Sequence, residues 1–243
     1  AAKCADKLRA MVPTAAAYAG VDMPALDNQI TAPYMARWLA IVEGRIANFS
    51  LFSDDAYWTQ KYLEWYQNHR PLHEFDNIAG VQSPWFDRWV DQLGDPTLAL
   101  WRNENPTAKE MANIKIPVLS ITGHFDGNQP GTLRYYREHL TAAPVRVSDQ
   151  HYLLMGPWDH SGTWVARTSV GGLQLSDNAA PDLLQLHIDF FNWVLRDGKR
   201  PALLKDRVNY YTVGKDEWHS ARRLEDIGKQ RKPLYLSAQK GEA

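Results

Sequence analysis

The run IPVLSITGHFDG at positions 116–127 decides how this chain is read. Its first part is apolar, rich in β-branched residues and closed by Gly123, which describes a buried strand. Downstream, 131–140 carries a helical pattern. A second strand follows, within 145–147 or, preferably, over 152–155. Strand, loop, helix, strand is a βαβ unit, and its two parallel strands should lie side by side.

Working outward, 181–196 is the next helix. Pro181 stands at its first turn, Leu183, Leu184, His187, Ile188, Phe191, Val194 and Leu195 recur at 3–4 spacing, and Asp197-Gly198 supplies a C-cap. Residues 208–213 alternate polar and apolar, as a strand near a sheet edge would, and 233–237 is one last strand-like run. On the upstream side, 8–13 reads as a short buried strand ended by Pro13, preceded by the tail of a helix over 1–8. Between these flanks the pattern changes. Helical spacing covers 33–46, 53–68 and 84–93, with Pro71, Pro84, Pro96 and Pro106 as punctuation and no credible strand. Asp54-Asp55 complements the N-terminus of the second helix.

The expected class is therefore α/β: a mostly parallel sheet flanked by helices, with an inserted helical cap. Residues 1–23 and 114–232 would form the α/β core, 24–113 the cap, and 233–243 the start of a further β domain.

The 243 residues carry 27 Lys plus Arg against 28 Asp plus Glu, a formal net charge of -1. No strongly charged field is implied, so nucleic acid is not an expected partner. No apolar run is long enough to span a membrane, and no membrane partner is expected. A hydrophobic fraction of 44% supports a packed core. One cysteine, Cys4, excludes an internal disulfide, and nothing beside it marks a reactive thiol. Ten Trp and eleven Tyr stand out, many between Tyr34 and Trp101. They suit helix packing and equally a pocket wall.

In a parallel sheet, loops at the carboxyl ends of the strands line the ligand crevice. Asp126 lies after one predicted strand and His160 after the next, so the two could meet. Nucleophilic acyl transfer needs a base for the hydroxyl proton and a carboxylate to orient that base. Each residue also has a plainer reading: Asp126 as a turn former before glycine, His160 as a structural histidine. Trp158, Phe125 and His124 are candidates to contact substrate, with core packing the other reading for Trp158. Asp159 and Ser161 adjoin His160 in sequence and are poorly placed to aim at its ring. His69, His73 and Glu74 suggest metal spacing, but Pro71 breaks the helix that would align them, and no metal is expected. No phosphate-cradling or dinucleotide glycine motif appears, and no cofactor is expected. No G-x-S-x-G occurs, so a nucleophilic serine is missing.

IPVLSITGHFDG at 116–127 and LMGPWDHSGTW at 154–164 resemble the acid and base segments of the cocaine esterase / X-Pro dipeptidyl-peptidase family of serine hydrolases. LRAMVPTA at 8–15 resembles the strand after that family's nucleophile helix, FDRW at 86–89 its cap, and GKDEW at 214–218 the segment leading out of its hydrolase domain. The resemblance implies a partial α/β-hydrolase fold with a helical cap, and a C-terminal jelly roll beginning near Pro233. It makes Asp126 the acid and His160 the base, and puts the serine upstream of Ala1. Relatives that take α-amino acid esters carry acidic residues just after the catalytic Asp, where this chain has Gly127, Asn128 and Gln129. The expected activity is hydrolysis of a small ester or amide, X-Pro dipeptides included, by the full-length enzyme, this chain alone being inactive. The alternative is a non-catalytic, truncated domain that binds or assembles. Either way the chain should associate with itself or with a missing N-terminal segment.

Overall fold

The computed structural model describes residues 7–23, 25–26, 29–30, 32–43, 49–52, 54–78, 80–92, 105–228, 233 and 235. Its central sheet is β1 (Val118–Gly123), β2 (His151–Gly156), β3 (Val208–Thr212) and β4 (Glu217–Ala221), side by side in that order. β1 and β2 are parallel, as are β2 and β3, whereas β4 returns antiparallel.

Along the outer edge of β1 runs the stretch around Met11 and Thr14, bridging Val118 and Ile121 in parallel. Pro13 lacks an N–H, so one ladder bond is missing, yet its carbonyl still accepts from the Ile121 amide at 2.9 Å. The segment therefore continues through the proline that the sequence pattern made its end. It is half-buried rather than buried, because β1 is its one strand neighbour among the described residues.

The helices follow their capping chemistry. In α1 (Ala32–Val42), Met35, Ala36, Leu39 and Ala40 form the buried stripe. α2 (Asp55–Gln67) is capped by Asp54, whose carboxylate accepts from the Tyr57 amide. α3 (Pro84–Asp91) is capped by Ser83, with Pro84 in its first turn. These three, with Phe75 of the short helical turn Phe75–Ile78, pack Met35, Leu39, Trp58, Phe75, Phe86 and Trp89 into one apolar cluster. Many of the aromatics between Tyr34 and Trp89 are thus packing residues; Trp101 lies outside the described residues. The sequence predicts no strand here, but Ala25–Leu26 pairs antiparallel with Gln29–Ile30. Two residues per strand are too few to show a period of two.

α4 (Ala108–Ala112) carries a capping box, Thr107 with Glu110, and leads to β1. α5 (Gln129–Ala142) crosses from β1 to β2, and α6 (Leu183–Arg196) from β2 to β3. β2 alternates between them: Leu154 faces α6 with Leu186 and Phe190, while Leu153 and Met155 meet Tyr136 of α5. Residues 145–148 form a helical turn, so the second strand is the preferred one. Pro181 stands just outside α6, and Asp182 is the cap. At the far end Asp197 itself takes the left-handed conformation, φ 53°, and Gly198 bonds back to the Asn192 carbonyl.

β3 lies one strand in from the edge of the described sheet, near the edge as its alternating pattern suggested. The edge is β4, whose polar sequence Glu217-Trp218-His219-Ser220-Ala221 suits an exposed last strand and hid it from a search for apolar runs. The helix tail expected over 1–8 lies outside the described residues except at Lys7 and Leu8. Of the strand-like run from 233 only Pro233 and Tyr235 are described.

α5 is fastened to the sheet by a buried histidine pair, His139 Nδ1 lying 2.8 Å from His151 Nδ1. Burial lowers the affinity of both rings for a proton, and the neighbouring His139 lowers His151 further, well below the ordinary 6.5. Folding therefore holds neutral two groups that the unfolded chain protonates. Their contribution is fully present above about pH 6.5 and is lost as pH falls toward the folded-state values. The urea midpoint should fall between about pH 7 and pH 5, and His151→Gln should remove much of that slope. An unchanged slope in the variant would contradict the assignment.

Candidate active site

The register of the parallel strands builds this site. Gly123 ends β1 opposite Gly156 at the end of β2, so the two following loops leave the sheet at one level. They are tied together by backbone: His124 donates to the Gly156 carbonyl at 2.8 Å and Phe125 to that of Trp158 at 3.0 Å. A Cβ on Gly123 would stand 2.0 Å from the Trp158 carbonyl oxygen, and one on Gly156 would stand 2.4 Å from the Trp158 ring. Both glycines are therefore needed for the close approach of the loops.

Trp158 is the hub of this packing. It is 1% exposed, and its indole N–H donates to the Ala179 carbonyl at 2.7 Å. It is a core residue beneath the site, which corrects its reading as a substrate contact. His124 is half-buried, and its Nε2, 2.7 Å from the Tyr211 carbonyl, is spent in joining this loop to β3 rather than on substrate. Phe125, by contrast, is 51% exposed beside Asp126.

Asp126 and His160 do meet. His160 Nδ1 donates to Asp126 Oδ1 at 3.0 Å. The same oxygen accepts from the Asn128 amide at 3.0 Å, and Oδ2 accepts from the Thr122 hydroxyl at 3.0 Å. Asp126 is thus a turn former and a histidine partner at once, with its side chain wholly inaccessible. A carboxylate accepts hydrogen bonds, so Nδ1 carries the proton and Nε2 presents its lone pair. The His160 side chain remains 35% accessible. Asp159 is occupied elsewhere, its Oδ1 accepting from the Gly162 amide at 2.8 Å. Among the described residues no serine is hydrogen-bonded to Nε2 of His160.

Two aromatic residues flank the imidazole that sequence reasoning did not assign to the site. Trp164 lies 5.5 Å from it, centroid to centroid, and Tyr34 of α1 lies 6.4 Å away. Burial and the nearby Asp126 and Asp22 carboxylates raise the Tyr34 hydroxyl's pKa, keeping it a neutral donor. Trp164 was legible as part of the motif around His160, whereas Tyr34 is one aromatic among many in its region. Of the positions after Asp126, Asn128 is buried beside the Asp22 side chain, and the Gln129 side-chain amide donates to the Gly123 carbonyl at 3.1 Å. Asp22 itself accepts from the Tyr18 and Gly131 amides, so these groups hold the start of α5 in place. His73 turns to Asp91 at 3.2 Å rather than toward His69. Among the described residues no cluster of three or more His, Cys, Asp or Glu could hold a metal ion.

A mostly parallel sheet between helices, with an Asp–His pair on adjacent strand-end loops, defines the fold class as that of an α/β-hydrolase. The family model of the X-Pro dipeptidyl-peptidase (S15 family) matches residues 1–162, and the chain belongs to that family. Among curated proteins no sequence matches. Of solved structures, an aminopeptidase from the marine sediment archaeon Thaumarchaeota archaeon is similar over 89% of this chain, at 20% identity and a TM-score of 0.56. An α-amino acid ester hydrolase is similar over 63% of the chain, at 24% identity and a TM-score of 0.46. The chain spans 35% of the first and 25% of the second.

Proposed function

We propose that this chain supplies the acid and base of a serine acyl hydrolase, with the nucleophilic serine contributed from outside its 243 residues. The observation that carries this is the His160 Nδ1–Asp126 Oδ1 hydrogen bond at 3.0 Å, on a carboxylate buried and fixed through both oxygens. In this reading Nε2 of His160 takes the proton of the attacking serine and returns it to the leaving group. Asp126 holds the tautomer and stabilises the imidazolium that forms in between.

The substrate class follows from what surrounds the ring. Phe125, Trp164 and Tyr34 offer apolar surface, and Asn128 and Gln129 are spent internally and uncharged, so no carboxylate at those positions addresses a substrate ammonium. We assign a small ester or amide with an apolar acyl part. The test is a panel of p-nitrophenyl esters, X-Pro p-nitroanilides and α-amino acid esters, run on the chain together with its nucleophile-bearing segment. Turnover of the neutral esters above the amino acid esters is expected; a strong preference for a free α-amine would overturn the substrate assignment. Absence of all turnover would favour the non-catalytic alternative.

A further inference from the structure

A second chain of polar side chains lies on the α5 side of the sheet and takes no part in the Asp126–His160 pair. His139 Nε2 is 2.9 Å from the Ile114 carbonyl oxygen. A carbonyl only accepts, so that nitrogen carries the proton and Nδ1 of His139 is a lone pair. His151 Nδ1, 2.8 Å away, must then be the donor, which leaves His151 Nε2 unprotonated. Ser120 Oγ lies 2.9 Å from that Nε2 and must donate to it. One set of tautomers satisfies the whole chain. Its order is nucleophile, base and orienting group, with an imidazole in the place usually held by a carboxylate.

These three residues wall a cavity of about 310 Å³, otherwise lined by Met11, Pro13, Ala16, Met111 and Val118 among others. That size and apolar lining, with a few convergent polar groups, suit a small ligand. The site is separate from the first: Ser120 sits in the middle of β1 and His151 at the head of β2, whereas Asp126 and His160 lie beyond the strands' carboxyl ends.

We propose that Ser120 is a second nucleophile, which accepts the acyl group of small apolar esters that have a good leaving group. Ser120 Oγ attacks the ester carbonyl carbon, the bond from that carbon to the phenolic oxygen breaks, and an acyl-Ser120 ester forms. The hydroxyl proton passes to His151 Nε2 and from there to the departing phenoxide, which leaves as the phenol. The strand amides beside Ser120 are spent in the sheet, Leu119 donating to Met11 and Ile121 to Pro13. With no strand amide left to hold an oxyanion, the reaction is confined to activated esters and ends at the acyl-serine.

The test is to incubate the 243-residue chain with p-nitrophenyl butyrate, follow p-nitrophenol release, and map the adduct by peptide mass spectrometry. One equivalent of phenol and one butyryl group on Ser120 are expected. His151→Gln should slow acylation about 10²-fold or more, as loss of a general base does. Ser120→Ala should abolish the adduct. No adduct, or an adduct only on Ser161 or another residue, overturns the proposal, and that mapping on the unmodified chain needs no variant to fold. An adduct on Ser120 forming at an unchanged rate in a folded His151→Gln chain overturns it too. Because the readout is the site of acylation, it is independent of whether the Asp126–His160 pair turns over substrate.

Discussion

Replacing His160 with alanine in the enzyme completed by its nucleophile should lower kcat by about 10⁴- to 10⁶-fold, with KM little changed. The expected loss is large because in the proposed mechanism Nε2 serves twice, removing the serine proton in acylation and protonating the leaving group. Without it the serine must lose its proton to water, and only binding and oxyanion contacts remain. The fold should survive the change. The side chain is 35% accessible, and its one side-chain hydrogen bond among the described residues is to Asp126. The loop is held instead by backbone, by Thr163 Oγ1 on the His160 carbonyl and by Phe125 on Trp158. Steady-state kinetics with thermal melting as a control is the measurement. A kcat within tenfold of wild type would remove His160 from the chemistry.

Asp126 should respond differently to asparagine and to alanine. Oδ1 accepts from both the Asn128 amide and His160 Nδ1, while Oδ2 faces only the Thr122 hydroxyl. An asparagine can therefore keep its carbonyl oxygen at the first position and turn its NH₂ toward Thr122, whose hydroxyl can accept as well as donate. The His160 tautomer would be retained and only the negative charge lost. A charge-assisted hydrogen bond is roughly twice as strong as a neutral one, so Asp126→Asn should cost about 10- to 10²-fold in kcat. Asp126→Ala also releases the imidazole to choose its tautomer, and should cost about 10⁴-fold. Equal losses for the two variants would show that the asparagine amide turns the other way and imposes the wrong tautomer.

The difference between what could and could not be read in advance follows from the range of the interactions involved. β1, α5 and α6 announced themselves because burial on both faces, helical periodicity and capping are local signals. The same is true of Asp54 at the start of α2, three residues from the amide it serves. β4 was missed because an edge strand has no apolar run to betray it. Trp158 was left between substrate contact and core packing because adjacency to His160 in sequence says nothing of which side of a loop a ring occupies. The histidine pair of α5 and β2 went unnoticed because neither residue carries a local pattern, and only docking the helix on the sheet brings them to 2.8 Å.

The residue types needed for acid and base, their order along the chain and their placement after two strands were all fixed by the amino acid sequence. They were fixed because strand propensity and loop chemistry are properties of neighbouring residues. Tertiary structure alone decided that Asp126 and His160 touch, since their approach depends on the parallel register that sets Gly123 against Gly156. It also decided that Nδ1 of His160 carries the proton and Nε2 the lone pair, because Nδ1 is the nitrogen that lies 3.0 Å from the Asp126 carboxylate. A tautomer is settled by hydrogen-bond partners, and those of His160 come together only when the sheet forms.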